Sequence, residues 1–372
     1  MHKIIFIGFA ALFVSLVCLG HTAEAPPLKE ARGVWMHLHS YSADAEQGKK
    51  EVREAVKGLA EANFNLIMPW VVSEYAAALT DTNYLSAAPN AKWDALGEVV
   101  REAHQRGMKV EIWYSFTYYK SPQSPEFNPK HGGDPAWAAR SLTAFQGKTN
   151  PMTDLCPTHP EARQWELKQI ESLLNRYANV SGIHIEEPGF GYPQSCVCEL
   201  CRSLFKSIHG QDLEKNIDTA RAEDFRCIGT TEFIRELRER MNQRNPKPIL
   251  SVNGGPFWRN DRSLGRDWKH WAELGWLDYY AAQNYSCDLA SFTSYTQTIL
   301  GDMPAACPIF VGIGVKWSGG ETALPVILQQ IDYGRSRGAK GILFFSAKAL
   351  TDEYLNALKV GPFKMPAIYP LK

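Results

Sequence analysis

The stretch Gly182-Ile183-His184-Ile185-Glu186-Glu187-Pro188 sets two isoleucines on one face of an extended segment and His184 and Glu186 on the other, since successive side chains of a strand point to opposite faces. In a sheet wrapped by helices, the isoleucines belong on the helix side. His184 and Glu186 then point into the interior of a closed sheet. Glu186 lies near the mouth and Glu187 on the rim, where Pro188 ends the strand. A carboxyl group placed there among aromatic neighbours has its charged form disfavoured, which suits it to protonating a leaving oxygen at neutral pH. An ordinary ion pair at a strand end is the competing reading of the same two acids.

Working outward, eight β-rich apolar runs occupy 33–38, 64–72, 109–117, 182–186, 249–253, 277–285, 309–315 and 341–346. Helical patterns with apolar residues at three-four spacing lie between them, at 51–62, 93–106, 161–177, 231–242, 267–274, 289–300 and 323–337. Gly107, Gly275 and Gly338 stand where three of these helices should stop. This alternation predicts an α/β protein, a (β/α)8 TIM barrel, with long loops after the third strand (118–159) and the fourth (188–230). Both loops follow strands and so fall on the C-terminal face, where such barrels carry their sites. A doubly wound open sheet is the rival fold, disfavoured because no glycine-rich fingerprint follows the first strand.

The 372 residues are 45% hydrophobic and 22% charged, which excludes a disordered chain, a collagen or a multi-pass membrane protein. Forty Lys and Arg balance forty Asp and Glu, so no long-range positive field gathers nucleic acid. Uncharged polymers fit better, and the 11 Trp and 15 Tyr exceed what a core of this size usually requires. His2-Lys3, the apolar run 4–20 and the small residues Ala23 and Ala25 have the order of a secretory signal. The expected organisation is a signal peptide at 1–25, the barrel domain at 26–364 and a C-terminal tail at 365–372. The mature chain is then secreted or periplasmic and has no membrane span. Its oligomeric state is left open.

The strand ends supply groups suited to neutral sugars, whose hydroxyls take amides and phenols and whose C–H faces take aromatic platforms. The expected substrate-binding set is Trp35 and His37 on the first strand, Trp70 on the second and Tyr114 on the third. It continues with His184 on the fourth, Asn253 on the fifth, and Gln283, Asn284 and Tyr285 on the sixth. His37-Leu-His39 also has the form of a divalent-metal pair. However, the fifth and sixth strands end in Asn rather than His, and the eighth offers Lys348 where an Asp would be needed. No metal or other cofactor is therefore expected for catalysis.

Cysteine usage raises a separate question. Cys196-Val-Cys198-Glu-Leu-Cys201 with a distant fourth residue, Cys156 being the best candidate, would make a closed structural zinc site. One disulfide and a free thiol fit the same spacing, and export permits disulfides. Neither reading makes the cluster catalytic.

An ordered set of motifs carries a family resemblance. It begins with Glu30-Ala-Arg-Gly-Val-Trp35, Ala103-His-Gln-Arg-Gly-Met108, Cys156-Pro-Thr-His-Pro-Glu161 and Gly182-Ile-His-Ile-Glu-Glu187. Asp267-Trp-Lys-His-Trp271, Leu277-Asp278, Gln283-Asn-Tyr285 and Val311-Gly-Ile-Gly314 follow. Over about residues 30 to 350 the chain resembles the glycosyl hydrolase-like family 10 barrels. The resemblance implies a secreted (β/α)8 glycoside hydrolase and places the family's strand-four acidic pair on Glu186 and Glu187. Many relatives have Asp-Asp there, and the seventh strand here, Gly312-Ile-Gly314-Val315-Lys316, offers no acid. A retaining pair about 5 Å apart across strands four and seven is thus not expected.

Two mechanisms fit these residues. In one, Glu186 is the acid/base while Glu187 orients a substrate acetamide that attacks internally, which implies N-acetylhexosamine substrates. In the other, a loop carboxylate such as Glu74 or Asp288 activates water or attacks the sugar. Three classes of function follow: a glycoside hydrolase cleaving the O-glycosidic bonds of a polysaccharide or glycan, a non-catalytic carbohydrate-binding barrel, and a metal hydrolase using His37 and His39. The glycoside hydrolase is the leading expectation.

Overall fold

The computed structural model describes residues 28–72, 93–115, 134–148 and 155–371. The expected signal peptide, Glu74 and most of the loop after the third strand lie outside the described residues. Eight parallel strands close into a barrel: β1 (Ala31–Met36), β2 (Leu66–Val72), β3 (Lys109–Ser115), β4 (Gly182–Glu186), β5 (Ile249–Gly254), β6 (Tyr279–Gln283), β7 (Ile309–Gly314) and β8 (Gly341–Phe345). Each strand pairs with the next in chain order, and β8 returns to β1. The (β/α)8 barrel expected from the alternation is what forms.

Helices cover the outside: α1 (Ala45–Glu61), α2 (Ala95–Gln105), α3 (Pro160–Arg176), α4 (Glu199–His209), α5 (Ala220–Asn242), α6 (Trp268–Glu273), α7 (Leu289–Asp302), α8 (Leu324–Ser336) and α9 (Asp352–Val360). Two of them start earlier than apolar spacing indicates, because caps set their beginnings. Asp44 accepts the Gln47 N–H at 2.9 Å to open α1, whose first turn is polar, and Thr219 accepts the Ala222 N–H at 3.3 Å to open α5.

Three cores result. The largest lies between strands and helices and includes Ile183, Ile185, Val110 and Ile112. A second fills the barrel with Trp35, Trp113, Tyr279, Phe310 and Leu343. The third, built on Phe190, Val197, Phe205 and Phe225 with four cysteines, lies under the loops that follow β3 and β4.

Inside the barrel, strand register sets Trp113, His184, Ser251 and Tyr279 on neighbouring positions. The Trp35 indole donates to His184 Nε2 at 3.1 Å. An indole N–H can only donate, so His184 keeps its proton on Nδ1 and gives it to Ser251 Oγ at 2.8 Å. Ser251 in turn donates to Glu111 Oε2 at 3.2 Å, and the Tyr279 and Tyr369 hydroxyls donate to the same carboxyl group at 2.7 and 2.6 Å. Burial pushes Glu111 up to about 7 and His184 down to about 3. Tyr369 belongs to the stretch 365–371. That stretch runs across the base of the barrel, where Ile368 donates to Leu28 O at 2.8 Å and accepts from Glu30 N at 3.0 Å.

Candidate active site

Glu186 ends β4 at the barrel mouth with its side chain turned inward. Its Oε2 accepts both the Trp113 indole N–H and the Asn253 Nδ2, from the neighbouring strands β3 and β5. Both partners are donors, so a proton held by the carboxyl group sits on Oε1. Burial comes first and the charge of Glu187 second in pushing Glu186 up to about 7, against the two donors and Arg266. The group is therefore poised to hold or release a proton near neutrality.

Glu187 sits on the rim with a left-handed backbone (φ 34°) that turns the chain off the strand. Asn253 holds that turn by accepting the Glu187 N–H at 2.7 Å with its Oδ1, while its Nδ2 serves Glu186. One amide thus fixes both acids. The Glu187 carboxylate pairs with Arg266 at 2.9 Å. Arg266 also approaches Asp261 at 3.7 Å, and Asp261 accepts the Trp268 indole N–H at 2.9 Å.

Around Glu186 stands an aromatic cup. His37 meets Trp113, Phe345 and Trp70 edge-on, with ring centroids 5.0, 5.4 and 5.6 Å away, and His39 lies 5.1 Å from it. Burial, with His39 beside it, pushes His37 down to about 4, so its ring is neutral. The Trp70 indole is fixed by the Ser115 hydroxyl at 2.7 Å. Opposite, Tyr285 packs against Phe345 at 5.4 Å and Trp317 at 5.8 Å. Its hydroxyl is buried without a partner among the described residues.

β7 completes the wall with glycine. A Cβ on Gly312 would come within 3.0 Å of the Trp35 ring, and one on Gly314 within 2.6 Å of the Trp317 ring. The indoles occupy the space that a seventh-strand acid would need.

The structure brings Glu186, Glu187, His37, Trp70, Asn253 and Tyr285 together at the mouth, with Gln283 partly exposed at the end of β6. Four of the expected substrate-binding residues, Tyr114, Asn284, Trp35 and His184, are corrected, as is the loop acid Asp288. Tyr114 is fully buried on the helix side, donating to Glu166 of α3. Strand parity gives the inward place to Trp113, whose register partner is His184. Asn284 likewise faces outward, its Nδ2 on Thr296 of α7 at 3.0 Å, because Gln283 and Tyr285 take the inward positions. Trp35 and His184 do face inward, yet both are sealed beneath the cup and shape its floor rather than meet a ligand. Asp288, a candidate loop acid, caps α7 through the Ser291 N–H at 2.8 Å. Trp113 was readable from the rule applied to β4, since Val110 and Ile112 must face the helices. Arg266 comes from a loop and Trp317 from a two-residue strand paired with Gly320–Glu321 after β7, both too short for periodicity to announce them.

Comparison with known proteins agrees with the barrel fold. The glycosyl hydrolase YngK of Bacillus subtilis (strain 168) is 22% identical over 314 residues, covering 75% of this chain and 58% of that protein. The glycosyl hydrolase DigH of Escherichia coli (strain K12) is 24% identical over 217 residues, covering 53% and 47%. The chain thus spans about half the length of the curated relatives it matches. Among solved structures, the glycoside hydrolase domain of PgaB (BpsB) from Bordetella bronchiseptica has the same fold. Its TM-score is 0.65 at 14% identity, over 89% of this chain and 98% of that domain. The profile of the glycosyl hydrolase-like 10 family matches residues 30–313, and the chain belongs to that family.

Proposed function

We propose that this protein is a glycoside hydrolase that cleaves O-glycosidic bonds in an N-acetylhexosamine-containing glycan, with Glu186 as the acid/base. The observation that carries the reading is a carboxyl group lifted to about 7 at the floor of an aromatic cup, facing a seventh strand that has no acid. Glu186 Oε1–H gives its proton to the glycosidic oxygen as the C1–O bond breaks. The acetamide oxygen of the same sugar closes on C1, its N–H held by the Glu187 carboxylate. Water then attacks C1 and loses its proton to Glu186, which opens the cyclic intermediate and resets the acid. The partly exposed Gln283 side chain is the group we assign to bond the sugar and the Trp70 ring the one to stack on it, with Trp113 and Tyr285 backing the wall behind them. These steps use no metal or cofactor. Export, as residues 1–25 imply, would deliver the enzyme to such polymers outside the cytoplasm.

The test is hydrolysis of a panel of aryl glycosides and polysaccharides, N-acetylated and not, by the wild-type protein and by Glu186→Gln and Glu187→Gln. Expected are cleavage confined to N-acetylated substrates and a loss of about 10³-fold or more in Glu186→Gln. In the wild type, kcat/KM should fall as pH rises through about 7, because the acid must carry its proton. Wild-type turnover in Glu186→Gln would remove Glu186 from the mechanism. Sugar binding with no cleavage of any substrate would make the chain a carbohydrate-binding barrel.

A further inference from the structure

Away from the mouth, the four cysteines under the loops converge. The Sγ atoms of Cys156, Cys196, Cys198 and Cys201 all lie within 4.8 Å of one another, and all four residues are buried. Cys156 stands 3.5 Å from Cys201 and 3.9 Å from Cys198. A tetrahedral ion bonded to sulfur at about 2.3 Å sets its sulfurs about 3.8 Å apart, and these distances fall around that value.

The surroundings suit thiolates. Cys196 Sγ accepts the Arg140 N–H at 3.1 Å and the Cys198 N–H at 3.4 Å, and His159 Nε2 lies 3.9 Å from Cys198 Sγ. Cys198 is the N-cap of α4 and Cys201 lies in its first turn, where the helix favours negative charge. The backbone brings the ligands together without the sulfurs: Cys156 N donates to Trp137 O and Val197 N to Arg140 O, each at 2.7 Å, and Ser141 bridges Ser195.

We propose that Cys156, Cys196, Cys198 and Cys201 form a closed structural zinc site that fastens the loop after β3 to the loop after β4. Four thiolates saturate the ion, so it has no open position for substrate and stands apart from the hydrolytic reading. The thiol protons leave as zinc binds, which makes loading weaker in acid. The fastening reaches the mouth through Phe190, which shares this small core and whose carbonyl accepts from Arg266 Nη2 at 3.4 Å, the side chain that pairs with Glu187. Two disulfides are the competing state in an oxidising compartment.

Elemental analysis of the full protein, purified without chelator, is expected to find one zinc per chain. Titration with a mercurial should release it in step with loss of the four thiolates. Cobalt replacement should give the sulfur-to-metal charge-transfer band and strong visible bands of a tetrahedral all-thiolate site. Alkylation after denaturation with chelator should label all four cysteines, and Cys196→Ser/Cys201→Ser should lose the metal. If that variant does not fold, the cobalt spectrum and thiol map of the wild type decide alone. Metal-free protein with disulfide-linked peptides from this cluster, stoichiometric iron, or full zinc retention by the folded double variant would each overturn the proposal.

Discussion

Arg266 does at the rim what Asn253 does beneath it. The amide fixes the positions of Glu186 and Glu187, and the guanidinium balances the charge that two adjacent acids and Asp261 would otherwise crowd together. Arg266→Met keeps much of the side-chain length and removes the charge. It should cost about 1–3 kcal/mol of stability by leaving Asp261 and Glu187 without their cation, and at least ~10-fold in kcat/KM. Thermal unfolding and steady-state kinetics check the two losses together. Unchanged values in both would mean that Glu187 is held by other groups. This residue was not legible in the chain: it lies in the loop after β5, set by the left-handed turn at Gly265 (φ 81°). Glu186 was legible because a two-residue period is a local property, and isoleucine on the opposite face decided its direction.

At the scale of elements, β1, β4, β5 and β3 share one line of donors that runs from Trp35 through His184 and Ser251 to Glu111. Glu111 makes this line sensitive to pH. A carboxyl group whose folded pKa of about 7 exceeds its ordinary 4.5 lends the fold its full contribution below 4.5 and loses it as pH climbs through 7. The difference is of order 3 kcal/mol for Glu111. Urea unfolding at a series of pH values should therefore show stability falling across that window. Glu111→Gln should flatten the fall by about half, since Glu186 titrates in the same range. A slope unaltered in the variant would place the titration elsewhere. The strands carrying this network were visible in the sequence, but the network was not. Glu111 read as one charge in an apolar run, and its partners are 140 to 258 positions distant.

Over the whole molecule, the base of the barrel is covered by the stretch that holds Ile368 and Tyr369, which pairs with residues 28–30. The closing stretch is short and its two prolines break any strand or helix period, so its pattern does not mark it as part of the core, although Tyr369 and Leu371 pack against the barrel interior. Deleting residues 366–372 removes the Ile368 pairings and the Tyr369 donor to Glu111. It should lower stability by roughly 2–4 kcal/mol, measured by the midpoint of urea unfolding. A midpoint equal to that of the full chain would show that the base closes without it. The eight-fold alternation was readable from end to end because each strand–helix unit repeats one pattern. The loops that complete the site repeat nothing.

The glycines of β7 have a bearing on descent. Gly312 and Gly314 give their places to Trp35 and Trp317, and the Ala282 carbonyl would stand closer still to a Cβ on Gly312, at 2.8 Å, so an acid cannot be gained at either position while these neighbours stay. A lineage moving between this barrel and one with an acid at position 312 must change residue 35 as well, and either change made alone disturbs the cup. Such paired steps are slow for selection to cross, which ties glycine on the seventh strand to tryptophan on the first and predicts that the two are inherited together.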